Sequence, residues 1–161
     1  VVGALITPWG TTLFSIGDGL FILNGEVIDL GPFERNRPPY IGYNLVGTEG
    51  FDAASDPFGF KLRHTDTDSL ETLLIGSDGM RDILDLEQTL IPGAGEAVGP
   101  IAQFWDARMF RNTDNVRRRL SVINREQLRF QAPANGIINL GLLKDDTTAI
   151  VLRRRSTAIE K

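Results

Sequence analysis

Near the middle of the chain stands the run Leu73-Leu74-Ile75-Gly76-Ser77-Asp78-Gly79-Met80-Arg81-Asp82-Ile83-Leu84. Its continuous apolar start is typical of a central strand that is covered on both faces. Ser77-Asp78-Gly79 predicts a sharp turn, because glycine lets the backbone bend tightly and approach a ligand. The residues from Met80 to Leu86 predict one or two turns of helix. The run therefore places an acidic side chain at the rigid end of a strand.

Two further acidic turns border apolar strands. Asp18 lies in Ser15-Ile16-Gly17-Asp18-Gly19, and Asp145-Asp146 precedes the apolar segment 147–152. Asp-Gly is common in turns that have no other role, so any one of these turns by itself is open to a purely structural reading. The run 73–84, taken as a whole, favours a functional site.

The overall composition excludes several kinds of protein and site. The 161 residues are 42% hydrophobic and 24% charged, which is typical of one globular domain or a large piece of one. The net charge of −4 gives no reason to expect nucleic acid or an anionic membrane as a partner. The chain has no cysteine and one histidine, so disulfides, thiolate zinc sites and cysteine nucleophiles are excluded. We expect a cytoplasmic protein.

The first third of the chain predicts β-structure. Asn24-Gly25 between two apolar runs is a strong signal for a type I′ hairpin, and we expect three antiparallel strands in residues 1–30, with Asp18 near a strand break. Farther along, Pro38-Pro39 indicates an irregular segment. Three more segments are predicted there: a short strand at Tyr43 to Val46, a loop at Gly50 to Pro57, and alternation from Phe58 to Arg63.

The middle of the chain predicts helices and the end a strand. Pro100 suits the first position of a helix that contains Ile101, Phe104 and Met109. Asn112 or Thr113 can cap a second helix with an apolar stripe, while three arginines largely face away. The stripe is Val116, Leu120 and Ile123, and the arginines are Arg117, Arg118 and Arg119. Residues 125–135 are predicted to be irregular. The fold class is therefore α+β with mainly antiparallel sheets.

Three motifs resemble those of the PP2C family of metal-dependent protein serine/threonine phosphatases. The run 73–84 resembles the signature in which an apolar strand leads to Ser-Asp-Gly and then to Asp and an apolar pair. Asp145-Asp146-Thr147-Thr148 resembles the closing motif, and Gly17-Asp18-Gly19 resembles a weaker Gly-Asp turn. The motifs follow the family's order, so residues 1–161 resemble the C-terminal part of one such domain. Its strands would span 1–79, its helical insertion 80–130 and its closing strand 145–153.

The resemblance implies a fold, a reaction and a set of site residues. The fold would be a β-sandwich flanked by helices. Asp78 and Asp145 would bind the catalytic Mg²⁺ or Mn²⁺ pair, and Asp18 would help Asp78 hold a third ion. Asp146 would lie behind the ligands, and Gly79 would be the turn residue. A metal-activated water, with no protein nucleophile, would hydrolyse phosphoserine or phosphothreonine in a phosphorylated protein substrate.

Elementary electrostatics agrees with a hard divalent cation. Two carboxylates about 5 Å apart repel by roughly 3 kcal/mol at an effective dielectric constant near 20. Converging aspartates therefore need a cation or must take up protons. Oxygen ligands without cysteine favour Mg²⁺ or Mn²⁺ over Zn²⁺.

The resemblance also implies elements that these residues do not supply. The family's Asp-Gly-His motif, whose Asp bridges both catalytic metals, has no match here, because neither Asp18-Gly19 nor Asp78-Gly79 is followed by His. His64 lies in a different context. We therefore expect a fragment of a longer domain, and weak or absent activity from this chain by itself.

Two alternatives stay open. The chain could be a non-catalytic regulatory or phospho-binding module that kept the fold, or a hydrolase related to two-metal nucleases. A nuclease would favour a basic groove, and the net charge argues against one. The runs 117–119 and 153–155 are the dense basic segments, and a solvated helix face and a chain-end segment explain them better than a nucleic-acid groove does.

Overall fold

The computed structural model describes residues 1–31, 33–34, 38, 42, 59–125, 128–131, 136–139 and 141–155, with 128–131 and 136–139 described by their backbone only. The chain divides into two compact units. The first unit is Val1–Ser77 with Ile150–Lys161, and the second unit is Asp78–Ala149. The fold is mixed α+β, as the order of apolar patterns predicts.

The first unit contains a three-stranded antiparallel sheet in the order β1-β2-β5. Its strands are β1 (Val2–Thr7), β2 (Gly10–Ser15) and β5 (Lys61–Thr65). Alternate residues of β2 are buried, because successive side chains of a strand point to opposite faces. This sheet therefore turns one face towards the core of the unit.

The second sheet has the order β4-β3-β6-β9. Its strands are β3 (Leu20–Leu23), β4 (Glu26–Asp29), β6 (Thr72–Gly76) and β9 (Ala149–Arg153). All of β3 and the last four residues of β6 are buried. The prediction of a central, doubly covered strand before Ser77 is therefore confirmed, since β6 has a neighbouring strand on each side and its consecutive buried residues belong to both faces of the sheet.

The hairpin between β3 and β4 has the predicted Asn-Gly turn. Asn24 has φ 50° and Gly25 has φ 87°, which are the positive values that a type I′ turn requires. The Asn24 side chain also holds the start of β6. Its Oδ1 accepts hydrogen bonds from the backbone N–H groups of Glu71 at 2.8 Å and Thr72 at 2.9 Å. A single residue therefore shapes one turn and fixes a neighbouring strand.

Both sheets contribute to one apolar core in the first unit. Leu13 comes from β2, whereas the other buried members come from β3 and β6. These are Phe21, Leu23, Leu73 and Ile75. Burial of such side chains contributes about 1.5–3 kcal/mol each, so this cluster dominates the stability of the unit.

The second unit is mainly helical. Helix α1 spans Gly79–Asp85 and helix α2 spans Asn115–Ile123, with 3-10 segments at Ile101–Trp105 and Ala107–Phe110 between them. A two-stranded antiparallel sheet of β7 (Leu128–Gln131) and β8 (Gly136–Asn139) follows. The buried apolar side chains of its residues are Met80, Ile83, Ile91, Val98, Phe104, Met109, Ile123 and Leu143.

Arg119 organises the segment that precedes the 3-10 helices. Its guanidinium donates to Gln103 Oε1 at 2.6 Å, to Val98 O at 2.9 Å and to Glu96 Oε1 at 2.5 Å. The side chain is only 18% exposed. The prediction that all three arginines of 117–119 largely face away is therefore wrong for Arg119, because a guanidinium can satisfy several buried acceptors at once.

Several predicted boundaries are corrected by the structure. Residues 1–30 form four strands rather than three, because positive φ values at Gly17 and Gly19 end β2 and start β3 in another sheet. The helix predicted after Pro100 is two 3-10 segments that are separated at Asp106. The prediction that 125–135 is irregular is wrong, because β7 lies there.

The helical insertion also ends earlier than the predicted residue 130, at Ile123, and the closing strand begins at Ala149 rather than 145. The alternation of apolar and polar residues predicted for 58–63 overlaps strand β5, which begins at Lys61. The strand at 43–46 and the loop at 50–57 lie outside the described residues. Within the described part of the chain, no helix has the length and apolarity needed to cross a bilayer.

Candidate metal site

The acidic turn after β6 begins helix α1. Asp78 is the residue before the helix, and its Oδ1 accepts a hydrogen bond from the Gly79 N–H at 3.0 Å. Met80 and Ile83 are fully buried, so the apolar residues of the predicted helix do anchor it. Asp78 itself is exposed. The local fold therefore holds an accessible carboxylate at a well-anchored helix start.

Gly79 brings this turn against the second acidic motif. A Cβ atom on Gly79 would lie 3.0 Å from the carbonyl oxygen of Asp146 and 3.1 Å from that of Asp145. It would also lie 2.6 Å from Thr147 Oγ1. Only glycine permits this approach without displacement of the backbone. The Asp78 turn and the Asp145-Asp146 turn, far apart in sequence, are therefore in direct contact within the second unit.

The Asp145 carboxylate is held by its own neighbours. Its Oδ1 accepts a hydrogen bond from the Asp146 N–H at 2.7 Å, and the Thr147 hydroxyl donates to the Asp145 carbonyl at 3.1 Å. Asp145 and Asp146 are both exposed. The backbone N–H of Asp146 orients the Asp145 carboxylate, and the interpretation of the Asp146 side chain as one that lies behind the ligands stays a prediction.

Two side chains outside the turn hold its backbone. Asp82 Oδ2 accepts a hydrogen bond from the Lys144 N–H at 2.9 Å, and Asn124 Oδ1 accepts one from the Leu143 N–H at 3.0 Å. The sequence analysis gave these two residues no role. Asp82 belongs to the run 73–84, but nothing in that run indicates which group its carboxylate contacts. Asn124 carried no signal beyond its place at the end of a predicted helix.

A cleft of about 550 Å³ adjoins the Asp145 turn in the second unit. Its walls are the 143–149 segment and one side of α2. Polar side chains such as Arg117 and Asp146 line it together with apolar ones such as Val116 and Leu120. The cleft therefore has a mixed polar and apolar lining and reaches the Asp145 turn.

Asp18 belongs to the first unit. It lies in the connection between β2 and β3, where Gly17 has φ 90° and Gly19 has φ 129°. A Cβ on Gly19 would lie 2.8 Å from the carbonyl oxygen of Gly76, at the end of β6. The Asp18 turn therefore packs against the last residue of the strand that leads to Ser77-Asp78.

The second unit presents oxygen donors in two adjoining turns. Two adjoining turns offer the carboxylates of Asp78 and Asp145, and Mg²⁺ is commonly bound by one or two carboxylates together with waters and phosphate oxygens. Among the residues that the structure describes, no group of three or more His, Asp or Glu side chains is close enough to hold a metal ion. A metal site in the second unit would therefore rest on the carboxylates of Asp78 and Asp145.

Comparison with protein-family models and with curated proteins finds no match for this chain.

Proposed function

We propose that this chain is part of a PP2C-type phosphatase that uses Mg²⁺ or Mn²⁺ to hydrolyse phosphoserine and phosphothreonine. The observation that carries the proposal is the contact of Gly79 with the backbone of Asp145 and Asp146. Two motifs that resemble those of the family, widely separated in sequence, meet there through a glycine. If these were ordinary Asp-Gly turns with no shared role, there would be no reason to expect them to be in contact.

The architecture of the first unit supports the same proposal. Its two sheets share one apolar core, with Leu13 of β2 packed among residues of β3 and β6. Two sheets that bury a common layer of side chains form a β-sandwich. We infer that these sheets are the layers of a PP2C-type sandwich.

In the proposed site, Asp78 and Asp145 hold the metal. A bound divalent metal would supply a water of lowered pKa and neutralise charge on the phosphate. The Gly79 N–H orients the Asp78 carboxylate, and the Asp146 N–H orients that of Asp145. Asp18 is proposed as a ligand of a further, weaker ion.

The test is Mn²⁺-dependent hydrolysis of an aryl phosphate by the full-length protein. Asp78→Asn and Asp145→Asn should each lose most of the activity, because the amide removes a charge and a metal ligand. Asp85→Asn is the matched control, since Asp85 is an exposed carboxylate of the same helix α1. Wild-type activity in both site variants would refute the proposal. Binding of Mn²⁺ and of a phosphopeptide without turnover would instead indicate the non-catalytic module.

A further inference from the structure

We propose that Asp82 and Asn124 are positioning residues that fix the backbone of the 141–146 turn and thereby set the affinity of Asp145 for a divalent cation. This inference rests on the proposed function of Asp145. It concerns two residues that do not themselves need to contact the metal. Their role is to hold a ligand in its binding geometry before the metal arrives.

The two hydrogen bonds clamp consecutive residues of the turn. Asn124 Oδ1 accepts a hydrogen bond from the Leu143 N–H at 3.0 Å, and Asp82 Oδ2 accepts one from the Lys144 N–H at 2.9 Å. Two neighbouring amides held by separate acceptors fix both the place and the direction of the chain one residue before Asp145. A single bond would leave the turn free to rotate about it.

The acceptors themselves are well anchored. Asp82 lies within α1, and its carbonyl accepts the Leu86 N–H at 3.0 Å. Asn124 directly follows the last residue of α2, and its own N–H donates to Leu120 O at 2.9 Å. The turn is therefore held by two different helices. Leu143, whose side chain is buried, adds an apolar anchor between the two hydrogen bonds.

Asn124 is also in close contact with the start of the turn. A Cβ on Gly141 would lie 2.4 Å from Asn124 Oδ1. Gly141 therefore lets the backbone pass directly beside the amide that accepts from Leu143. This contact places the same side chain at two points of the turn.

A ligand whose backbone is held in advance loses less conformational freedom when the metal binds. Residues that orient metal ligands typically change metal affinity by about 10–100-fold when they are replaced. The Asp82 carboxylate also adds negative charge near the site, and charge by itself would favour a cation. The experiment must therefore separate the hydrogen bond from the charge.

The matched pair Asp82→Ala and Asp82→Asn makes this separation. Both variants remove the same charge, but the amide oxygen of Asn can still accept the Lys144 N–H. In the metal-free full-length protein, we expect hydrogen exchange at the Lys144 amide to be at least about tenfold faster in Asp82→Ala than in Asp82→Asn. The dissociation constant for Mn²⁺, measured by calorimetry, should be about tenfold higher in Asp82→Ala than in Asp82→Asn.

Asn124→Ala provides a second reading if Asp82→Ala does not fold. It should speed exchange at Leu143 and weaken Mn²⁺ binding, whereas Asn124→Asp keeps the acceptor and should not speed that exchange. Asp85→Ala, on the same helix, should leave the Leu143 and Lys144 amides and the Mn²⁺ affinity unchanged.

The outcomes distinguish this inference from the function on which it rests. If Asp145→Asn binds Mn²⁺ as the wild type does, the proposed metal site fails, and the role of Asp82 in metal affinity fails with it. If Asp145→Asn loses Mn²⁺ while Asp82→Ala and Asp82→Asn bind it equally, the metal site stands and the positioning role is overturned. Unchanged exchange at Lys144 in Asp82→Ala would overturn it as well.

Discussion

Gly79→Ala tests the contact between the two acidic turns. The added Cβ would lie 3.0 and 3.1 Å from two backbone carbonyl oxygens, whereas ordinary van der Waals contact begins at 3.4 Å. The third contact, at 2.6 Å, is with the hydroxyl of Thr147, and rotation of that side chain would break its hydrogen bond to the Asp145 carbonyl. The two backbone carbonyl oxygens cannot rotate in this way. The substitution must therefore move one turn relative to the other by a few tenths of an ångström.

The expected loss of stability follows from two opposing effects. Overpacking of this kind costs typically about 1–3 kcal/mol. Alanine also restricts the unfolded chain, which stabilises the protein by about 0.4–1 kcal/mol where the native φ suits it, and Gly79 is not among the residues with positive φ. We expect a net loss of about 1–2 kcal/mol in the free energy of unfolding. This corresponds to a fall in Tm of about 2–8 °C for a domain of this size.

Thermal unfolding of the full-length protein measures this loss, and Mn²⁺ titration measures its effect on the site. Gly59→Ala is the control, because a Cβ there meets nothing within 4 Å. The double variant Gly79→Ala/Thr147→Ala should remain destabilised relative to Thr147→Ala, because the backbone contacts persist. If Gly79→Ala unfolds at the wild-type temperature and binds Mn²⁺ equally well, the two turns are not in the close contact described above.

Two further predictions concern stability, measured by urea unfolding. Asn24→Gly should lower the free energy of unfolding by about 1–2 kcal/mol, because the hydrogen bonds to the start of β6 disappear. Asn24→Ala should lower it by about 1 kcal/mol more, because alanine disfavours positive φ. Equal losses in the two variants would contradict the role of positive φ in this turn. Arg119→Ala should lower the free energy of unfolding by about 1–3 kcal/mol, since it leaves the buried Gln103 Oε1 without its partner. Arg117→Ala should change it by less than about 0.5 kcal/mol, because the Arg117 side chain is 74% exposed. A loss in Arg117→Ala as large as that in Arg119→Ala would show that burial does not distinguish them.

The features that sequence analysis predicted correctly are the local ones. Asn24-Gly25 forms its turn because both residues tolerate positive φ, which is a property of the residues themselves. The buried strand before Ser77 and the short helix after Asp78 follow from continuous apolar runs. These signals need only a few neighbouring residues, so no knowledge of the tertiary fold was required.

Other features depend on contacts between distant parts of the chain. Nothing in the sequence indicated that Asp82 accepts from Lys144 or that Asn124 accepts from Leu143, because each pair is set by the packing of a helix on a turn. Helical spacing predicted that the Arg119 side chain faces away from the core. In the structure it donates to several acceptors in residues 96–103, and the position of that segment cannot be read from the spacing of residues within a helix. The pattern 128–131 alternates, but short strands of this kind are weak signals when their partner is unknown.

The order of strands in the larger sheet has a consequence for how the chain folds. β6 and β9 are neighbours, yet the second unit separates them in sequence. Their pairing closes a long loop, and contacts of high sequence separation form slowly. We expect β9 to join the sheet after the local β3–β4 hairpin has formed.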